Sequence, residues 1–287
     1  MNSQKIAILT DSCADLTEEM IAGAPVYVVP LKIRCPDGEF DDGVTIRAKD
    51  IYARQAMGQL PQTSLPAGAA VEATLERIRA DGYEKVLAIM LSSGLSGTYN
   101  LVRLLAEGQK DLEIAAFDSL SGALGEGVMV LQAAEDIERG MSWDELIHTR
   151  VPQLVANTFP FFSVDTLEYL VKGGRIGKIT AMAGTLLNIK PLITFAEDGQ
   201  LVSVAKVRGR KAVADKLLEL VRQSLGDHKR YNLAIANGGA PEEMAALRAR
   251  MEKEFPNYDH FWAAELDATL SVYIGSGVLG AGVMVLD

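Results

Sequence analysis

The apolar run Val86-Leu87-Ala88-Ile89-Met90 passes directly into Leu91-Ser92-Ser93-Gly94-Leu95-Ser96-Gly97-Thr98, and then into Tyr99 to Glu107, where Leu101, Leu104 and Leu105 share one side. A buried strand that empties into a Ser/Gly loop at a helix start is a βα unit, and it constrains the chain toward sheets flanked by helices. The same succession gathers free backbone N–H groups and hydroxyls in one place, an arrangement that suits a carboxylate or a phosphate. Taken alone, the segment fits equally a plain turn whose serines cap the helix.

Strand and helix patterns alternate along the rest of the chain. Ile6 to Leu9 reads as a strand, Leu16 to Ala22 as a helix, and Val26 to Ile33 as one further strand before a turn at Asp37-Gly38. Ala48 to Met57 and Ala69 to Ala80 read as helices, with Leu60 to Pro66 between them as a loop stiffened by two prolines. Glu113 to Phe117 reads as a strand and Val128 to Glu138 as a helix. A second unit opens near Val155. In it Phe159 to Val164 is strand-like, Asp165 and Glu168 have capping-box spacing, and Gly173-Gly174 stops the helix that follows. Ile189 to Phe195 and Leu201 to Val207 flank Asp198-Gly199, a hairpin signal. Ala212 to Ser224 reads as an amphipathic helix, Leu233 to Ala236 as a strand, and Pro241 opens another helix. The glycine-rich tail from Leu270 to Leu286 reads as β structure. The expected architecture is therefore two α/β domains: residues 1–154 with a mainly parallel sheet, and residues 155–287 with a mixed sheet.

Several classes of function are disfavoured by composition. The formal charge of −10 argues against nucleic acid and against anionic membrane surfaces, since both require a basic face. No apolar run reaches bilayer-spanning length and the N-terminus is not signal-like, so no integral membrane segment is expected. Cys13 and Cys35 are the only cysteines and lack CxxC spacing, which points to reduced thiols in a cytoplasmic protein. His148, His228 and His260 have no metal-ligand spacing, so neither a metal site nor a histidine-dependent triad is expected.

Of the candidate motifs, Gly275-Ser276-Gly277-Val278-Leu279-Gly280 matches GxGxxG but has only seven residues after it, which excludes the βαβ unit that a dinucleotide site requires. No Walker-type loop is present. Lys172-Gly173-Gly174-Arg175-Ile176-Gly177-Lys178 and Arg208-Gly209-Arg210-Lys211 are two small basic clusters in an acidic chain, suited to docking an acidic partner or to answering a helix dipole. Asp11, Asp15 and Asp118 follow strand ends, where carboxylates most often cap the next helix. Thr63-Ser64 sits in the proline-held loop and, with Ser92, Ser93 and Ser96, forms a possible pair of walls around one anion.

Taken together, Asp11-Ser12-Cys13-Ala14-Asp15, Thr63-Ser64-Leu65-Pro66, Leu91 to Asn100 (LSSGLSGTYN), Asp118-Ser119, Leu170-Val171-Lys172-Gly173-Gly174-Arg175 and Lys206-Val207-Arg208 resemble, in order and spacing, the DegV family of bacterial fatty-acid-binding proteins. The resemblance runs from Ile6 to the end of the chain. It implies a long-chain fatty acid in a buried apolar tunnel, with the carboxylate held by hydroxyls that map to Thr63 and Ser93, and with Ser64, Ser92 and Ser96 as neighbours. It implies further that the carboxylate is presented to a fatty acid kinase for acyl-phosphate formation. On this reading the chain is a lipid-binding accessory protein without catalytic residues or a cofactor, and Arg175 and Arg208 contact the kinase catalytic protein. Two departures stand out. Leu65 occupies a position where the family usually has glutamine, and Tyr273 occupies the family's histidine position, where a phenol offers a neutral hydrogen bond.

Physical magnitudes agree with such a ligand. Burying an acyl chain is worth about 0.8 kcal/mol per methylene, so roughly 11 kcal/mol for about fourteen of them before ordering costs. An unpartnered ionised head would cost several kcal/mol, which donors at a helix start offset. Two enzymatic alternatives stay open at this point: a Ser-dependent hydrolase, and a substrate-binding subunit like those of dihydroxyacetone kinases. The absence of histidine from every candidate loop weighs against the second.

Overall fold

A computed structural model of the chain describes residues 2–179 and 188–287. Along the first half run β1 (Ile6–Asp11), β2 (Val26–Val29), β3 (Lys32–Cys35), β4 (Gly38–Asp41), α1 (Ala48–Ala56), β5 (Gln62–Ser64), α2 (Gly68–Ala80), β6 (Lys85–Met90), α3 (Thr98–Glu107), β7 (Glu113–Asp118) and α4 (Leu124–Glu138). A helical stretch follows: α5 (Trp143–Glu145), a π-type turn over Leu146–Arg150, and α6 (Val151–Ala156). The second half continues with β8 (Thr158–Ser163), α7 (Glu168–Lys172), β9 (Ile189–Phe195), β10 (Leu201–Arg208), α8 (Lys211–Leu225), β11 (Tyr231–Gly238), α9 (Pro241–Glu254), β12 (Phe261–Glu265), α10 (Ala268–Ile274) and β13 (Val278–Val285).

These strands form three sheets. A four-stranded sheet ordered β2-β1-β6-β7 is parallel throughout. Its central strands β1 and β6 are almost wholly buried, as parallel strands covered on both faces must be. A six-stranded sheet ordered β10-β9-β8-β13-β11-β12 is antiparallel except for β11 against β12. This is the mixed α/β arrangement expected from the alternation of patterns, and no helix among the described residues is long and apolar enough to cross a membrane. The third sheet, β4-β3-β5, is small and antiparallel. Helix α4 lies between the two large sheets and is buried along nearly its whole length, which an apolar helix with glycines at 125 and 127 permits. Its buried Gln132 accepts from Asn232 on β11 and donates to Asp136, whose carboxylate pairs with Arg150 at 2.7 Å.

Several expectations need correction. Val26 to Ile33 is not one strand: Pro30 has no N–H to give to the ladder, and β2 and β3 enter different sheets. Leu16 to Ala22 forms turns rather than a helix, because seven residues that pack only Leu16 and Met20 inward do not repay nucleation. The loop from Leu60 to Pro66 contains β5, whose pairing with β3 sets Thr63 opposite Ile33. Asp165 does not cap α7. Its carboxylate meets Lys190 at 2.8 Å, and the N–H of Glu168 goes to Thr166 instead. The tail is not all β: Asp267 caps Leu270 at 2.7 Å and opens α10, every residue of which is buried. A helix enclosed on all sides has no polar face, so its sequence lacks the helical period and reads as strand.

The acids at the strand ends do act on backbone donors. Asp11 accepts from Cys13 N and Leu91 N, each at 2.9 Å, and Asp118 accepts from Ser93 N and Leu120 N. Asp15 accepts from Asp267 N, and Asp42 accepts from Ala268 N, Thr269 N and the Ser12 hydroxyl. Cys13 Sγ and carboxylate oxygens of Asp42 and Asp267 come within 4.8 Å of one another, but Asp42 is already engaged by those donors at the start of α10. Burial raises the pKa of Asp11 to about 6 and of Asp15 to about 7, and pushes Asp267 and Glu126 well above the usual carboxylate range.

Two outcomes follow from this packing. Gly94 lies so close to the β9–β10 turn that a Cβ there would stand 2.4 Å from the backbone of Gly199. Gly94→Ala therefore forces the two halves apart locally, and chemical denaturation should show a loss of about 1–3 kcal/mol; unchanged stability would contradict the contact. The folded chain also holds protons on the buried acids to higher pH than the unfolded chain does, so their contribution is present in acid and is lost as pH rises through about 6 and 7. At about 1.4 kcal/mol per pH unit for each group, the melting temperature should fall by at least about 3 °C between pH 5 and pH 8. Asp15→Asn should flatten that slope, and a slope that rises with pH would refute the assignment.

Candidate functional site

Between the sheets lies a cavity enclosing about 1090 Å³ of atom-free space, mouth included. Leu31, Leu91, Leu124 and Val128 reach it from the first half, and Phe161, Phe195, Leu270 and Val283 from the second. Its walls are overwhelmingly apolar. Among the described residues, the polar side chains in the lining are Thr63, Ser96, Thr158, Arg175, Asn232, Thr269 and Tyr273. Two of these are committed within the fold: Thr158 donates to Leu154 O at 2.7 Å, and Asn232 is tied to Gln132 and to the N–H of His260.

Thr63 and Tyr273 meet at one end. Alternation along β5 leaves Ser64 exposed and turns Thr63 inward, where its hydroxyl lies 2.5 Å from the Tyr273 hydroxyl. Two hydroxyls that share one hydrogen bond retain a second proton, which is free to be donated to a ligand. Tyr273, only 9% exposed, is carried by α10, and its ring packs so close to Gly173 that a Cβ there would be 2.3 Å from it. On the ring sits Arg175, its Cζ 4.9 Å from the centroid. Arg175 Nη1 donates to Gly173 O at 2.9 Å and Nε to Leu95 O at 3.3 Å, so one side chain joins the turn after α7 to the Ser/Gly loop.

That loop is fixed from below. Ser92 is buried; its hydroxyl donates to Gly199 O at 2.8 Å and accepts from Gly94 N. Ser96 shares a hydrogen bond with the Thr98 hydroxyl at the start of α3, and its side chain borders the cavity. The structure thus brings Thr63, Ser96, Tyr273 and Arg175 together on the cavity wall. It does not place Ser64, Ser92 or Ser93 there: Ser93 has an exposed side chain and gives its N–H to Asp118 at 3.1 Å. Arg208 is exposed at the end of β10, paired in register with Ile189. Sequence reading missed Thr269, whose buried hydroxyl has no partner among the described residues and which borders the cavity; no local signal marks it, because the helix that carries it was itself hidden. None of the three histidines borders the cavity, and the two with side-chain partners turn to carboxylates, His228 to Asp287 and His260 to Glu135.

Comparison with known proteins accords with this arrangement. A family model described as "Uncharacterised protein, DegV family" matches residues 5–285. A DegV domain-containing protein of Clostridium acetobutylicum is 35% identical over 277 residues, covering 96% of this chain and 98% of the relative. A solved DegV family protein from Thermus thermophilus, described for its fatty acid binding, superposes with a TM-score of 0.91 at 30% identity over 100% of both chains. DegV from Bacillus subtilis, described as a fatty acid binding protein, gives 0.89 at 27% identity over 99% of this chain and 100% of that one. An apolar cavity with hydroxyls gathered at one end and a match over almost the whole chain lead to the same place: the protein belongs to the DegV family.

Proposed function

We propose that the protein binds a long-chain fatty acid in the cavity between its two units, residues 1–154 and 155–287, and presents the carboxylate to a fatty acid kinase for conversion to an acyl phosphate. The observation that carries the reading is the asymmetry of the cavity: apolar along its length, with the donors not used up by the fold collected around Thr63 and Tyr273. Apolar length rewards an acyl chain by about 0.8 kcal/mol per methylene, and a neutral donor cluster offsets the desolvation of one anionic head. A sugar or a nucleotide would leave most of its polar groups unpaired against such walls.

In this reading Thr63, Tyr273 and Ser96 receive the carboxylate directly. Ser93 joins them from the exposed side, where a kinase would approach, while Ser92 holds the loop in place and Ser64 borders it. Arg208, exposed and without an ion-pair partner among the described residues, serves partner docking. The chain supplies the ligand site and not the chemistry, and the phosphoryl donor belongs to the partner. Two buried free thiols suit a reducing compartment such as the cytoplasm.

Organic extraction of the purified protein followed by mass spectrometry should release long-chain acyl species, and the stripped protein should take up added fatty acid. Absence of both would reject the reading. The pair Thr63→Ala with Tyr273→Phe should weaken fatty acid retention by at least about tenfold, through the loss of hydrogen bonds to a charged group. With a fatty acid kinase and ATP, Arg208→Ala should leave lipid retention intact and slow acyl-phosphate formation; equal rates would remove Arg208 from docking.

A further inference from the structure

Asp15 and Asp267 come from different halves of the chain and hold each other where α10 begins. Asp15 Oδ1 accepts from Asp267 N at 2.8 Å, and Asp267 Oδ1 accepts from Leu270 N at 2.7 Å. Asp15 is only 6% exposed. The second oxygen of each, Asp15 Oδ2 and Asp267 Oδ2, is buried without a hydrogen-bond partner among the described residues. The two carboxyl groups lie within hydrogen-bonding reach of each other. Their surroundings offer no cation: Asp11 and Cys13 follow from the end of β1, Asp42 from the end of β4, Glu126 from α4, Tyr52 from α1 and Glu265 from β12. No ion pair among the described residues reaches any of these carboxylates, and Lys32 turns to Asp41 instead. Two buried carboxyl oxygens that face each other with neither donor nor counter-ion require a proton between them. Burial accordingly raises Asp15 to about 7 and Asp267 well above the usual carboxylate range.

Helix α10 is the element this pair governs, because it starts at Ala268 and sends Thr269, Leu270, Tyr273 and Ile274 to the cavity wall. Asp42 also holds its start, accepting from Ala268 N and Thr269 N. Loss of the proton would therefore gather three carboxylates at one helix start. The helix dipole answers only about half of one charge there, so repulsion among the three prevails in a dry setting. We propose that Asp15 and Asp267 share one proton that latches the start of α10, and that losing it loosens the cavity wall and speeds release of the bound amphiphile. The inference rests on the reading that the cavity holds an acyl chain, and adds a control on how long the chain is kept. The latch is fully present in acid and is lost as pH rises through about 7.

The test follows release of hexadecanoate from the loaded protein to an excess of albumin at pH 6 and pH 8. In the parent the rate should rise at least about threefold, within the limit of about tenfold per pH unit that one proton sets. Asp15→Asn suits the left-handed backbone at that position (φ 54°), and its amide donates to Asp267 Oδ2 at either pH. Its release should stay within about twofold of the parent's slow rate at both pH values. Asp267→Asn keeps an oxygen for the Leu270 cap and should behave alike. Hydrogen exchange over residues 268–274 gives a second reading without ligand: between the two pH values it should quicken more in the parent than in Asp15→Asn. Parent release that ignores pH, or release from Asp15→Asn as steep in pH as the parent's, overturns the proposal, as does equal quickening of exchange in both proteins. A parent that takes up no hexadecanoate at either pH removes the acyl reading itself, and control of release falls with it; uptake at both pH values with an unaltered release rate defeats the latch alone.

Discussion

An ionised group at the end of a long apolar chain can leave water only where donors wait for it, and the cavity of this protein has the features to meet that requirement. Apolar walls alone would accept the chain and reject the head. Donors alone would accept the head and leave the chain in water. The structure supplies both within one cavity: leucine, valine and phenylalanine along its length, then the Thr63–Tyr273 hydroxyl pair with Ser96 and Arg175 beside it.

No single unit builds that end. Thr63 comes from the small β4-β3-β5 sheet, Ser96 from the loop after β6, Tyr273 from α10 and Arg175 from the turn after α7. They converge because the Ser/Gly loop is seated on the β9–β10 turn through Ser92 and the close approach at Gly94, and because α10 is anchored by Asp42 and Asp15 of the first half. The buried acids thus hold the helix that carries Tyr273. The raised pKa values of Asp15 and Asp267 ally that structural work to pH, since the folded chain favours their protonated forms.

Much of the frame was legible in the sequence. The βα unit from Val86 to Glu107 and the hairpin around Asp198-Gly199 have local signals strong enough to survive packing. What failed did so for identifiable reasons. Complete burial erased the helical period of Ala268–Ile274, so α10 read as strand and Thr269 went unseen. Pro30 split an apolar run that looked continuous. Thr63 was visible as a hydroxyl in a rigid loop, but the pairing with Ile33 that turns it inward was not. Arg175 was visible as part of a basic turn, whereas its place over Tyr273, about a hundred residues away in the chain, is a tertiary fact. Ser93, prominent in the motif, proved exposed, because the loop spends its buried hydroxyl, Ser92, on the Gly199 carbonyl.

The most direct measurement is a crystal structure of the stripped protein reloaded with hexadecanoate. The account requires density for an extended chain within the cavity, with carboxylate oxygens at hydrogen-bond distance from Thr63 or Tyr273 and facing Arg175. Density that runs the other way, with the head toward Asn232 and the methyl end at Tyr273, or a chain bound outside the cavity altogether, would contradict it.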